Sequence, residues 1–161
     1  MKYALMIRND ALSKETALKI KEGLKDFFMY DDQNPDLVIS IGGDGTILEA
    51  VHHYLNKDCC FVGIHTGTLG FYTDYQVDQV EQFIKDVTSR EFTTMKRYLL
   101  EIKVNKKNQS ETYYALNELR LDQGLQAQVI HVYINDVLFE VFRGNGLCVS
   151  TPSGSTAYNK S

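Results

Sequence analysis

Residues 37 to 46 read Leu37-Val38-Ile39-Ser40-Ile41-Gly42-Gly43-Asp44-Gly45-Thr46. The first five form an apolar run too short for a helix of ordinary length. Such a run suits a strand buried on both faces, as in a parallel sheet covered by helices. The glycines then break the strand. From Thr46 to Leu55 the apolar residues Ile47, Leu48, Val51 and Leu55 recur at helical spacing. Strand, glycine turn, helix is the opening of an α/β unit.

The neighbours extend this reading on both sides. Tyr3 to Ile7 predicts a first strand. Ala17, Ile20, Leu24, Phe27 and Phe28 predict a helix, with Ser13 as its N-cap. Cys60 to Ile64 predicts another strand. After a loop holding Gly67 and Gly70, Val77, Val80, Phe83, Ile84 and Val87 predict a further amphipathic helix. Near Phe92 the character changes. Tyr98–Val104, Thr112–Leu121, Gln128–Ile134 and Val137–Phe142 read as strands, several with the alternation of antiparallel pairs. Asn135-Asp136 supplies a hairpin turn between the last two. The expected architecture is therefore an open α/β sheet domain over residues 1–95, followed over 96–161 by the start of a β-rich, sandwich-like domain. The run after Thr151 reads as a loop entering a helix, so the second domain is expected to be incomplete at Ser161.

Composition narrows the class. The chain has 161 residues, 43% of them hydrophobic and 24% charged, which suits a soluble globular protein. A net charge of -4 argues against a general nucleic-acid or membrane-surface binder, since both need a basic field. Cys59, Cys60 and Cys148 give neither a disulfide framework nor a zinc spacing. Reduced thiols in a cytoplasmic protein are expected. Tyr3 to Ile7 is too short for a signal sequence.

Three segments carry chemistry. Glycines 42, 43 and 45 lie between a strand and a helix, where backbone N–H groups can approach a phosphate. Asp44 among them would be repelled by phosphate unless it accepts a proton from an attacking hydroxyl or helps to hold a divalent metal. The same four residues also fit an ordinary turn with Asp as a local cap. Asn117 and Glu118 interrupt a strand and can together hydrogen-bond a sugar diol or an adenine edge; a polar outward face is the alternative. Thr151-Pro152-Ser153-Gly154-Ser155-Thr156-Ala157-Tyr158 is dense in hydroxyls and ends on an aromatic, as a nucleotide-lining loop would be. It also fits a capped helix start.

Taken together, these segments resemble the NAD kinase family, its Gram-positive bacterial members in particular. Gly42 to Gly45 match its glycine–aspartate motif and Ala115-Leu116-Asn117-Glu118 its Asn–Glu motif. Arg143-Gly144-Asn145-Gly146 with Thr151 to Tyr158 match a third, and Ile64 to Asp74 a further segment. The resemblance implies ATP- or polyphosphate-dependent phosphorylation of NAD on the 2′-hydroxyl of its adenosine ribose, with a divalent metal, magnesium, at the donor. It implies Asp44 as proton acceptor and Gly45 as a dinucleotide contact. Leu69, Phe71 and Tyr72 would line the adenine pocket. Asn117 and Glu118 would contact the ribose and adenine, and Arg143 and Asn145 the nicotinamide side, across a subunit interface. Thr156, Ala157, Tyr158, Asn159, Lys160 and Ser161 would wrap the nucleotide. A homo-oligomer, dimer or tetramer, is implied as well. Asn145 stands where the family usually has Asp, which keeps the shape and loses the charge. Thr68 stands where close relatives often have His. Two rival readings are a non-catalytic dinucleotide-binding fragment and a lipid or sugar kinase sharing the glycine–aspartate loop.

Overall fold

The computed structural model describes residues 1–67, 70–122, 124 and 126–160. The chain divides into two compact units, Met1–Met95 and Lys96–Ser161.

The first unit is built on β1 (Lys2–Ile7), α1 (Ala11–Leu24), β2 (Met29–Tyr30), β3 (Leu37–Gly42), α2 (Asp44–His53), β4 (Cys60–His65), β5 (Tyr75–Gln76) and α3 (Val80–Ser89). All strand pairs are parallel, in the order β2-β1-β3-β4-β5. Every residue of β3 is buried. Its side chains alternate between faces, as strand geometry requires. Leu37, Ile39 and Ile41 join Tyr3, Ile64 and the helix residues Ala17, Ile20, Leu24 and Phe83 in one core. Val38 joins Ala4 with Ala50 and Tyr54 of the α2 side in the other. Burying each such isoleucine contributes about 1.5–3 kcal/mol. Thus α1 and α3 cover one face and α2 the other. The β1–α1–β2 connection and the α2 crossover from β3 to β4 move in opposite directions along the sheet. Between β1 and β3 lies the point where the winding reverses, and open α/β sheets bind their ligands at such points, beyond the strands' carboxyl ends.

Local differences from the sequence reading have physical causes. Asp10, not Ser13, caps α1. Its carboxylate accepts from the Ser13 N–H at 2.9 Å and from the Ser13 hydroxyl at 2.7 Å. Helix α1 stops at Leu24, leaving Phe27 62% exposed, while Phe28 packs against the core. Helix α2 starts at Asp44, where a carboxylate in the first turn suits the helix field, and ends at His53 rather than Leu55. The edge strands β2 and β5, two residues each, carry no pattern long enough to read.

The second unit holds three antiparallel pairs: β6 (Leu100–Lys106) with β7 (Gln109–Ala115), β8 (Glu118–Asp122) with β11 (Gly146–Ser150), and β9 (Gln128–Ile134) with β10 (Val137–Gly144). Asn135 and Asp136 have φ of 50° and 63°, as a two-residue hairpin turn needs. The expected strand Thr112–Leu121 is two strands. It changes partner at buried Leu116 and at Asn117. Beyond Thr151 the described chain forms two 3-10 turns, Gly154–Thr156 and Tyr158–Lys160, instead of a helix start. Among the described residues, no helix is long and apolar enough to cross a membrane.

Candidate active site

In the first unit the site begins where β3 ends. Asp44, at the first position of α2, accepts the Phe71 N–H at 2.8 Å on Oδ2 and the Tyr72 N–H at 2.9 Å on Oδ1. The carboxylate therefore ties the glycine loop to the 70–72 backbone. That approach needs Gly70, where an added Cβ would lie 2.3 Å from Asp44 Oδ1. Gly42 is equally constrained, since a Cβ there would meet Thr46 Oγ1 at 2.1 Å. Gly45 is different. It is exposed, and a Cβ there would meet nothing within 4 Å. Packing does not demand a glycine at that position, which leaves the start of α2 open to a ligand. Gly70→Ala is expected to displace the Asp44 carboxylate. Such overpacking costs about 1–3 kcal/mol, read as a lower unfolding midpoint.

Phe71 and Tyr72 stack edge to face at 5.3 Å. Phe71 is 54% exposed and Tyr72 7%, so Phe71 offers its ring to solvent while Tyr72 packs inward. Leu69 and Ser161, both expected site residues, and Thr68 lie outside the described residues.

Sequence reasoning passed over Arg8 and Thr66. Arg8 follows β1, and its backbone N–H donates to the Ile41 carbonyl at 2.9 Å. Thr66 follows β4 and donates to the Gly42 carbonyl at 2.8 Å. Both continue the sheet ladder, so they stand beside the glycine loop at the same end of adjacent strands. The signal was available: the rule that singled out the residues after β3 applies equally to those after β1 and β4. His65 is buried, and its Nδ1 accepts from the Gly67 N–H at 3.4 Å. Arg8 donates to Asp10 at 2.7 Å, and this bond, with those from Ser13, holds the Asp10 carboxyl well below the usual carboxylate range.

The second unit brings the Asn–Glu segment and the hydroxyl-rich segment together. In the β8–β11 pair Ser150 stands opposite Glu118. Thr151 then fastens the turn. Its N–H donates to the Asn117 carbonyl at 2.8 Å, its hydroxyl donates to the Leu116 carbonyl at 2.6 Å, and it accepts from the Gly154 N–H at 2.9 Å. Asn159 Nδ2 reaches Ser150 Oγ at 3.1 Å. Glu118 Oε2 is buried and has no hydrogen-bond partner among the described residues. A buried carboxylate oxygen without a donor is costly unless a ligand supplies one.

Asn145 and Tyr158 share a cavity of about 400 Å³ with Arg120, Asp122 and Cys148. The Arg120 guanidinium lies 4.6 Å from the Tyr158 ring centre. Arg143, near the end of β10, is exposed, as are Thr156, Ala157 and Lys160. Among the described residues, no three His, Cys, Asp or Glu side chains are grouped to hold a metal.

Comparison with known proteins finds relatives for both units of the chain. Residues 6–92 match the family model of the ATP-NAD kinase N-terminal domain, and residues 116–161 that of the C-terminal domain. NAD kinase 1 of Bacillus anthracis is 45% identical over 165 residues, covering 99% of this chain and 62% of that protein. The NAD kinase of Lysinibacillus sphaericus is 46% identical over 164 residues and that of Staphylococcus aureus 44% over 167, with the same shares covered. The chain thus spans 62% of the length of these relatives. A solved structure of yeast NADH kinase complexed with NADH superposes with a TM-score of 0.88, covering 99% of this chain and 60% of that one. At 20% identity that likeness concerns the fold. With more than half of its residues inside the N-terminal family model alone, the chain belongs to the NAD kinase family.

Proposed function

We propose that this chain is the glycine-loop and dinucleotide-binding part of an enzyme that transfers the terminal phosphoryl group of ATP to the 2′-hydroxyl of the adenosine ribose of NAD, giving NADP. The observation that carries the reading is Asp44, pinned by two backbone N–H groups at the carboxyl end of a buried parallel strand, beside the open Gly45 position. In the reaction the 2′-oxygen attacks the γ-phosphorus as its proton passes to the Asp44 carboxylate. The bond from the γ-phosphorus to the β,γ-bridging oxygen breaks, and ADP leaves with that electron pair. Such transfers are accelerated chiefly by positioning and charge stabilisation. Both Asp44 oxygens already accept one backbone N–H, which fixes the carboxylate plane and leaves further lone pairs for a substrate hydroxyl.

Phe71 offers an exposed ring to adenine, with Tyr72 packed behind it. In the second unit Glu118 Oε2, unpartnered among the described residues, invites a ribose hydroxyl or the adenine amino group, with Asn117 beside it. Arg143 and Asn145 contact the nicotinamide side, and the 156–160 segment wraps the nucleotide. A magnesium ion fits the site only as a companion of the donor, because no acidic cluster is grouped to hold it among the described residues. The phosphates and water would supply most of its ligands and Asp44 could supply one. Bound there, it would neutralise charge on the phosphates. A cytoplasmic homo-oligomer making NADP, with ATP or polyphosphate as donor, completes the proposal.

The direct test incubates the full-length protein with ATP, magnesium and NAD and measures NADP and ADP. Equal amounts of the two are expected, with no phosphorylation of diacylglycerol or a sugar. A second reading, dinucleotide binding without turnover, is favoured for the 161-residue chain alone because it spans 62% of its relatives. NAD titration of that chain beside the turnover assay separates the two.

A further inference from the structure

One charged side chain at the mouth of the sheet is held in place for no evident structural purpose. Arg8 donates through Nε to Asp10 at 2.7 Å and through Nη2 to Thr66 Oγ1 at 3.1 Å. Thr66 Oγ1 shares a hydrogen bond with the Ser13 hydroxyl at 2.7 Å, and Ser13 returns to Asp10. The four side chains close a ring that fixes the guanidinium on two of its nitrogens. The third, Nη1, has no hydrogen-bond partner among the described residues. It lies 3.9 Å from where a Cβ on Gly43 would be and 3.5 Å from one on Gly67. It therefore borders two backbone loops just where glycine leaves them bare, at the reversal point between β1 and β3.

The ring does not need an arginine. Asp10 caps α1 through Ser13 whether or not Arg8 is present. An exposed ion pair contributes at most about 1 kcal/mol, and the Arg8 side chain is 45% exposed. What the arginine adds is a fixed fork with a donor edge that no described residue occupies, the geometry that suits phosphate oxygens. The need for such a cation is local. Asp44 places a carboxylate on the neighbouring loop, and a polyphosphate arriving there brings more negative charge.

We infer that Arg8 binds the phosphate chain of the phosphoryl donor, its Nη1 edge donating to non-bridging oxygens over Gly43 and Gly67. The inference rests on the phosphoryl-transfer reading for the choice of ligand. It makes Arg8 a donor-specific residue with no part in holding the dinucleotide.

The test uses the full-length protein and its Arg8→Ala and Arg8→Lys variants, with two readouts. One is the KM for ATP beside the KM for NAD. The other is calorimetric titration with inorganic tripolyphosphate. A charge-assisted hydrogen bond corresponds to about a 10- to 100-fold change in affinity. Arg8→Ala is expected to raise the KM for ATP and the Kd for tripolyphosphate by that factor, with the KM for NAD within about twofold. Arg8→Lys, which keeps the charge and loses the fork, should fall between and serves if the alanine variant does not fold. Unchanged ATP and tripolyphosphate affinities in a protein that makes NADP would overturn the inference and leave the phosphoryl-transfer reading standing. So would equal increases in both KM values with a lowered melting point, which marks a brace only. If the parent protein makes no NADP but binds tripolyphosphate through Arg8, the phosphate role holds and the phosphoryl-transfer reading falls.

Discussion

On the proposed phosphoryl-transfer reading, Asp44→Asn is expected to lower the turnover of the full-length protein by about 100- to 10,000-fold, the usual contribution of a positioned proton acceptor. The amide cannot take the 2′-hydroxyl proton. It also disturbs the local structure, because the carboxylate accepts one backbone N–H on each oxygen, from Phe71 and Tyr72. An asparagine can satisfy one of these and turns its own N–H₂ toward the other. The orphaned donor costs about 1–3 kcal/mol, so a lower melting temperature should accompany the kinetic loss. Gly70→Ala separates the two effects, since it strains the same contacts while Asp44 keeps its proton-accepting group. If Asp44→Asn and Gly70→Ala lose activity equally, Asp44 is a tether for the 70–72 backbone. If the asparagine variant is far worse, it is the base. NADP formation under saturating ATP and NAD, with thermal melts of each variant, decides between them.

Gly154→Ala produces the largest structural loss, in the second unit. An added Cβ would stand 2.1 Å from the Asn117 carbonyl oxygen and 2.4 Å from its carbon, both backbone atoms. That carbonyl is itself held by the Thr151 N–H at 2.8 Å, so it cannot retreat without breaking the turn. The expected cost is about 3 kcal/mol, at the upper end for inserting a methyl into a packed site. For a chain of 161 residues that lowers the melting temperature by ~6–12 °C. Asn117 and Glu118 should shift with the turn, so on the proposed reading NAD affinity measured by titration should fall as well. A variant with unchanged melting temperature and NAD affinity would show that the Thr151–Gly154 turn does not hold the Asn–Glu segment.

The sequence alone made the α/β frame of the first unit legible. The buried run from Leu37 to Ile41 and the helical spacing in α1, α2 and α3 each express one local periodicity. Such patterns arise because a strand alternates its faces and a helix repeats every 3.6 residues, whatever lies nearby. Asp44, Asn117–Glu118 and Thr151 to Tyr158 stand out in the sequence for another reason: their residue types suit the chemistry proposed for them. Where periodicity was short or interrupted, the reading failed. Two-residue edge strands have no period. The run from Thr112 to Leu121 looked continuous because both halves alternate, although β7 pairs with β6 and β8 with β11.

Pairing is a long-range choice, and it is what only the tertiary structure decided. The strand order β2-β1-β3-β4-β5 places Arg8, Gly43 and Thr66, far apart in the chain, at the ends of neighbouring strands. The β8–β11 pairing sets Thr151 against Asn117. Neither juxtaposition leaves a trace in local sequence, because hydrogen bonds between strands are made by backbone groups that every residue carries. The run from Leu37 to Thr46 thus determined by itself that a strand would stop at an acidic, glycine-rich turn. Only the packed sheet determined that an arginine, a threonine and the 70–72 backbone would meet there.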